Sequence, residues 1–208
     1  MEFTVISDTH GQHRSLHPGK GDVIIHAGDV SMRGRETEVK DFLDWFSALP
    51  FTYKIFIAGN HDFYFERTAR DDIRRIIPPG VTYLNDESAR IEGLHIWGSP
   101  ITPWFYDWAF NRHRGEAIRR HWQLIPEDAD VVVTHGPVHG IHDRTVRGEQ
   151  VGCEDLSETI KTLRPRVHIC GHIHEGYGKF ETDHTLYLNS SVLNERYDLV
   201  NAPHHFTL

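Results

Sequence analysis

A chain of 208 residues is long enough to bury a full core, and its 38% hydrophobic and 25% charged content excludes fibrous, disordered and membrane-embedded classes. Its formal net charge of -8 provides no global cationic field for gathering a long nucleic acid. Two cysteines, Cys153 and Cys170, are too few for a disulfide framework, and no apolar run approaches membrane-spanning length.

The opening segment, Met1-Glu2-Phe3-Thr4-Val5-Ile6, is acidic where a signal peptide is basic, so a cytoplasmic protein is expected. Phe3–Ser7 is short, β-branched and ends at a polar loop, which predicts a buried strand. Val23–Ala27 repeats that pattern before Gly28-Asp29. From Glu36 to Leu49, the residues Val39, Phe42, Leu43 and Phe46 recur at helical spacing until Pro50 ends the run. Tyr53–Ala58 predicts a third strand, and Thr68–Ile77 a second helix stopped by Pro78-Pro79-Gly80. Short strands are expected at Thr82–Leu84, Ala89–Ile91 and Leu94–Gly98. A helix is expected over Gly115–Leu124, a buried strand over Asp130–Thr134, and a helix over Glu154–Leu163 before Pro165. Val167–Cys170 predicts a further strand, and Tyr177–Phe180 with Thr185–Asn189 a hairpin turning near Asp183-His184. Early βαβ alternation followed by a strand-rich half fits a mixed pair of sheets flanked by helices, in one domain spanning 1–208, better than a single doubly wound sheet.

Five polar clusters carry the chemistry, most directly after an apolar run. In Asp8-Thr9-His10, carboxylate and imidazole two positions apart can grip one ion, although an isolated Asp-x-His is also an ordinary turn cap. Asp29 could bridge two metals or simply form an Asx-turn. Gly59-Asn60-His61-Asp62 is more specific. Asn60 offers a neutral oxygen ligand, His61 is free to act on substrate, and Asp62 can orient and charge-support that imidazole. His135 follows a strand and precedes Gly136-Pro137. In Gly171-His172-Ile173-His174, two imidazoles two apart could each reach a different ion. Gly11, Gly28, Gly136 and Gly171 are expected to leave room for phosphate oxygens. Of the 17 histidines, His13, His17, His95, His121, His168 and His184 read as loop, surface or packing residues, and the pair His204-His205 as incidental.

This ordered set resembles the calcineurin-like metallophosphoesterases, whose pattern is D-x-H, G-D, G-N-H-D, a lone His and G-H-x-H, over residues 3 to about 192. Ser7–Gly11, Trp108–Asn111, Thr134–Pro137 and Cys170–Gly178 look closer still to the MPPED-type branch, the brain metallophosphodiesterase-like proteins. The resemblance implies a four-layer αββα sandwich of two mixed sheets flanked by helices. It implies two divalent or mixed-valence metal ions, Mn, Fe, Zn or Co. Asp8, His10, Asp29 and His174 would hold the first ion, and Asp29, Asn60, His135 and His172 the second. The activity implied is hydrolysis of small phosphodiesters, including cyclic nucleotides, by a metal-bridging hydroxide, with His61 as general acid supported by Asp62.

Substrate recognition is less sharply written. Trp97 and the stretch Trp104–Phe110 could stack on a base, or could equally pack over the core or form a homodimer contact. Asn60 and His61, with Asn111, Arg112 and His113, are the candidate substrate contacts, and Val138–His142 is expected to shape the pocket wall. The partner expected is a small phosphoester or nucleotide, with no membrane. A phosphomonoesterase or nuclease on the same bimetal centre is the alternative, ahead of a non-catalytic protein-binding scaffold.

Overall fold

The computed structural model describes residues 1–208 and contains two mixed sheets with helices on their outer faces. The first half runs β1 (Glu2–Ile6), β2 (Gly21–Ala27), α1 (Glu36–Ala48), β3 (Phe51–Ile57), α2 (Phe63–Arg67), α3 (Arg70–Ile76), β4 (Val81–Tyr83), β5 (Glu87–Ile91), β6 (Leu94–Ser99) and β7 (Thr102–Pro103). It continues with β8 (Asn111–Arg112), α4 (Glu116–Trp122), β9 (Val131–Thr134), α5 (Glu154–Leu163), β10 (Val167–Cys170), β11 (Gly178–Glu181), β12 (Leu186–Asn189) and β13 (His204–Thr207). One sheet is ordered β13-β1-β2-β3-β4 and the other β11-β12-β10-β9-β6-β5, while β7 and β8 pair alone.

Period-2 patterning explains the layers. Along β2, Val23, Ile25 and Ala27 face the opposite sheet, where Ile96, Val131, Val133, Val167 and Ile169 meet them in one buried cluster. The alternate residues Ile24, Phe56, Trp97 and Val132 face outward. They are covered by Val39, Phe42 and Phe46 of α1 and by Ile118, Trp122, Leu156 and Ile160 of α4 and α5. Each of these fully buried side chains contributes about 1.5–3 kcal/mol of burial free energy.

Parallel pairing places the site. β1, β2 and β3 run parallel, as do β6, β9, β10 and β12. The loops leaving their carboxyl ends therefore collect at shared edges, where open α/β sheets bind ligands.

Three segments depart from the expected elements. The helix expected over Thr68–Ile77 begins only at Arg70, and a separate helix, α2, follows directly on Asp62. α2 exists because Phe65 packs on Phe56 and Tyr83, a contact that no local periodicity announces. The tail is not incidental: β13 pairs antiparallel with β1, His205 Nδ1 lies 3.1 Å from Thr4 Oγ1, and Phe206 stacks on Phe3. His204 donates from Nε2 to the Asn189 carbonyl at 3.0 Å and stacks on Tyr177. The third is the brief β7–β8 pair, which ties the two ends of the aromatic stretch together. Both cysteines are buried and free, and Cys153 Sγ accepts the Leu156 N–H at the start of α5. No helix is long and apolar enough to cross a membrane.

Candidate metal centre

The loop after β1 lies against the loop after β2: Asp8 and His10 donate backbone N–H groups to the carbonyls of Gly28 and Asp29 at 2.9 and 3.0 Å. Asp8, His10, Asp29 and His172 all hold left-handed φ values between 42° and 67°, a region that non-glycine residues rarely occupy. Such backbone strain persists only where the surrounding structure enforces it, and it concentrates at functional sites.

Asp8 is fully buried. Its carboxylate accepts the His172 N–H at 3.0 Å and the Ser191 hydroxyl at 2.7 Å. Its remaining neighbours are imidazoles, with His174 Nε2 at 3.5 Å and His10 Nε2 at 4.0 Å. Asp29 stands between the two halves of the site. Oδ1 accepts the His61 N–H at 2.8 Å, while Oδ2 lies 3.6 Å from His10 Nε2 and 3.3 Å from His135 Nε2. Asn60 Oδ1 is 3.0 Å from that same His135 nitrogen. Donor atoms of Asp8, His10 and His174 lie within 4.8 Å of one another, as do those of Asp29, His135 and His172, and those of His10, Asp29 and His61.

The imidazoles are oriented by backbone. A carbonyl oxygen can only accept, so Nδ1–H is the donor from His135 to Ala27, from His174 to Asn194 and from His61 to Met32, at 2.9, 2.8 and 2.9 Å. Each ring thereby presents Nε2 to the centre, the arrangement that metal-ligating histidines use.

Charge in the cluster fits divalent cations. Burial opposes ionisation of Asp8 and Asp29, yet the neighbouring His174 and His135 outweigh it and hold both carboxyls below the ordinary range. Burial likewise acts against charge on His135 and His174, but Asp29 and Asp8 carry these rings up to about 9. Burial takes His10 down to about 4 and His172 to about 3. His10 and His174 bring their Nε2 atoms within 3.3 Å, a lone-pair clash unless a proton or a cation lies between them. Buried carboxylates neutralised only by protons on convergent imidazoles are a donor set suited to exchanging those protons for metal.

The structure corrects four local expectations. Asp62 does not touch the His61 ring: its carboxylate accepts the N–H groups of Val30, Ser31 and Gly59 and the Ser31 hydroxyl. It therefore ties the β2 and β3 loops together, and burial with the nearby Asp29 pushes it up to about 6. Gly28 and Gly171 do not make room for phosphate. A Cβ at Gly28 would strike the His135 ring, and one at Gly171 the Asp8 carboxylate and Ser7 hydroxyl. Asn111, Arg112 and His113 do not line the cavity. The Asn111 amide donates to the carbonyls of Phe105 and Tyr106, Arg112 bonds the Asn111 carbonyl, and His113 stacks on Trp104. The segment 138–142 also stays away; Gly140, Ile141 and His142 instead border a separate cavity with Lys179 and Phe180.

A cavity of about 200 Å³ opens over the cluster, lined by His10, Asp29, Asn60, His61, His172 and His174 together with Phe105, Trp108 and Tyr197. Trp108 stacks on His61 at 4.3 Å, and Tyr197 lies edge-on to His10 and His174. Tyr197, Ser191, Asn194 and the carbonyls of Ala27 and Met32 escape sequence reading, since none belongs to a ligand-type cluster. A larger cavity of about 390 Å³, between α3 and β4, has Arg70, Arg74 and Glu87 on its wall but no convergent imidazoles or carboxylates. Size therefore does not locate the chemistry; convergence of donor atoms does.

Comparison with known proteins gives a consistent result. Residues 1–176 match the calcineurin-like phosphoesterase family. The chain is 39% identical over 224 residues to metallophosphoesterase domain-containing protein 1 of Homo sapiens, covering 97% of this chain and 69% of that protein. The Mus musculus protein of the same name matches to the same extent. Among solved structures, the phosphopantetheinyl hydrolase of Mycobacterium tuberculosis superposes with a TM-score of 0.63 at 18% identity, covering 94% of this chain and 90% of that one. At that identity the likeness speaks for a shared metallophosphoesterase fold alone.

Proposed function

This chain belongs to the calcineurin-like phosphoesterase family, and from the geometry of its site we propose that it is a metal-dependent phosphodiesterase acting on small, nucleotide-type esters. A phosphoester hydrolase that uses divalent metal is what the family supports. The dinuclear centre, the diester preference and the residue roles are our reading.

The observation carrying it is the meeting of two Asp/His groups at Asp29. In this reading Asp8, His10, Asp29 and His174 would hold one ion, and Asp29, Asn60, His135 and His172 would hold another. Mixed nitrogen and oxygen donors suit Mn, Fe, Zn or Co. Bound there, the two ions supply Lewis acidity toward the phosphate oxygens and lower the pKa of water.

The chain's own contribution centres on His61. Its Nδ1–H is anchored on the Met32 carbonyl, its ring is clamped between Trp108 and His10, and Nε2 is left to face the cavity. As the oxygen of water bonds to phosphorus and the ester P–O bond breaks, a proton on Nε2 passes to the departing alcohol oxygen. The aromatic faces of Phe105, Trp108 and Tyr197 give a flat organic group surfaces to stack on beside that centre.

The test is a substrate panel on protein stripped of metal and reloaded separately with Mn, Fe, Zn and Co. Bis-p-nitrophenyl phosphate and 2′,3′- and 3′,5′-cyclic nucleotides should be cleaved faster than p-nitrophenyl phosphate. A preference for the monoester with every metal would replace diesterase with monoesterase, and inertness toward all of them would remove the catalytic reading.

A further inference from the structure

A second chamber lies beside the metal cavity and shares Phe105 and His172 with it. We propose that this chamber is the subsite for the ester arm that remains on phosphorus, and that it takes an uncharged aromatic or apolar group. The inference rests on the phosphodiesterase reading above and specifies its substrate.

Size comes first. The chamber measures about 340 Å³, whereas an apolar cavity of roughly 150 Å³ accommodates benzene, so there is room for a bicyclic ring. Lining chemistry comes second. Carbon surfaces of Pro103, Trp104, Phe105, Pro137, Val151 and Ile173 form most of the wall. The one charged side chain, Arg114, is already engaged by the carbonyls of Gly152 and Val151 and by the Glu154 carboxylate, so it offers no free charge to an anion. The Thr145 hydroxyl, also on the wall, is buried with no hydrogen-bond partner. Such a group stands ready for a single polar atom on an otherwise apolar guest.

Position decides which arm enters. The departing oxygen must lie within reach of His61 Nε2. His61 and Trp108, 4.3 Å apart, line the metal cavity and not the chamber; the two spaces meet at Phe105, 6.4 Å from Trp108, and at His172, 5.2 Å from Phe105. The chamber therefore adjoins the centre at His172 and not at His61, so a retained group of a diester can extend into it while the departing oxygen stays within reach of the acid. A monoester has no group to place there. Trp104, half exposed at 52% and stacked on His113, forms the outer wall where such a group would enter.

The experiment holds the leaving group constant. Metal-loaded protein is assayed with p-nitrophenyl phosphate and with its methyl, phenyl and 2-naphthyl diesters, every reaction releasing p-nitrophenol. The naphthyl diester should exceed the methyl diester at least tenfold in kcat/KM, mainly through KM. Trp104→Ala and Val151→Asp, on residues outside the metal cluster, should each erase most of that preference while changing the methyl diester and the monoester by less than twofold. Thr145→Val should weaken a quinolinyl diester more than the naphthyl one. Cleavage of the methyl diester with no naphthyl preference, or a preference that survives both wall substitutions, overturns the subsite alone. Cleavage of the monoester but of no diester overturns the phosphodiesterase reading, and the subsite falls with it.

Discussion

His10 and His174 lie 164 positions apart in the chain, yet their Nε2 atoms face each other across 3.3 Å with Asp8 beside them. Two imidazole lone pairs do not hold that arrangement without a proton or a cation between them. Asp8 and Asp29 also carry His174 and His135 up to about 9, so both rings hold an extra proton near neutral pH. Loading with Mn or Zn at pH 7.5 should therefore release protons as well as bind metal, and should raise the thermal midpoint by several degrees. Isothermal titration in buffers of different ionisation enthalpy counts the protons. A count of zero would place the cations somewhere other than this cluster.

Removal of the His61 ring should separate substrates by leaving group. His61→Ala should slow an alkyl diester about 10²–10⁴-fold, because an alkoxide needs the proton, and an activated aryl diester less than tenfold. Steady-state rates on a matched pair check this, and equal losses on both would take the acid role away from His61.

Asp62 is expected to act on the fold. Its four donors, three from backbone and one from Ser31, hold the loops after β2 and β3 in register. Asp62→Asn turns one accepting oxygen into a donor facing donors, at a cost of about 1–3 kcal/mol in stability. Urea unfolding measures that loss. The alkyl-to-aryl rate ratio should stay at its wild-type value, since no side-chain contact joins Asp62 to the His61 ring; a ratio shifted toward that of His61→Ala would restore the direct pairing.

Acid stability should depend on buried histidines outside the metal cluster. The Thr134 hydroxyl donates to the Gly136 carbonyl at 2.7 Å, so it accepts from His168, which carries its proton on Nε2. Burial lowers His168 and His26 to about 3. The unfolded chain therefore binds more protons than the folded one between pH 6.5 and about 3. Stability is full above that window and is lost as pH falls through it. Each ring accounts for about 2 kcal/mol by pH 5. Urea midpoints measured from pH 7 to 5 should fall less steeply for His168→Gln than for the wild type, and parallel slopes would contradict the assignment.

Much of the fold was legible because buried strands and amphipathic helices are written in local periodicity. The Val23–Ala27 run, the Val39/Phe42/Phe46 stripe and the helix from Glu154 to Leu163 reappear as β2, α1 and α5. β13 was not legible, because His204–Thr207 becomes a strand only when β1 offers it an edge. The same distinction governs the site. Residue types and their order single out Asp8, His10, Asp29, Asn60, His135, His172 and His174 as candidates, since ligand chemistry is a property of the side chain and strand ends are visible in sequence; the structure brings their donor atoms together. Orientation was decided by tertiary structure alone. The carbonyls of Ala27, Met32 and Asn194 aim the rings, Ser191 holds Asp8, and Asn111 is spent on its own loop. Backbone carbonyls are common to every residue and carry no sequence signature, so which of them meets an imidazole depends on how distant loops pack.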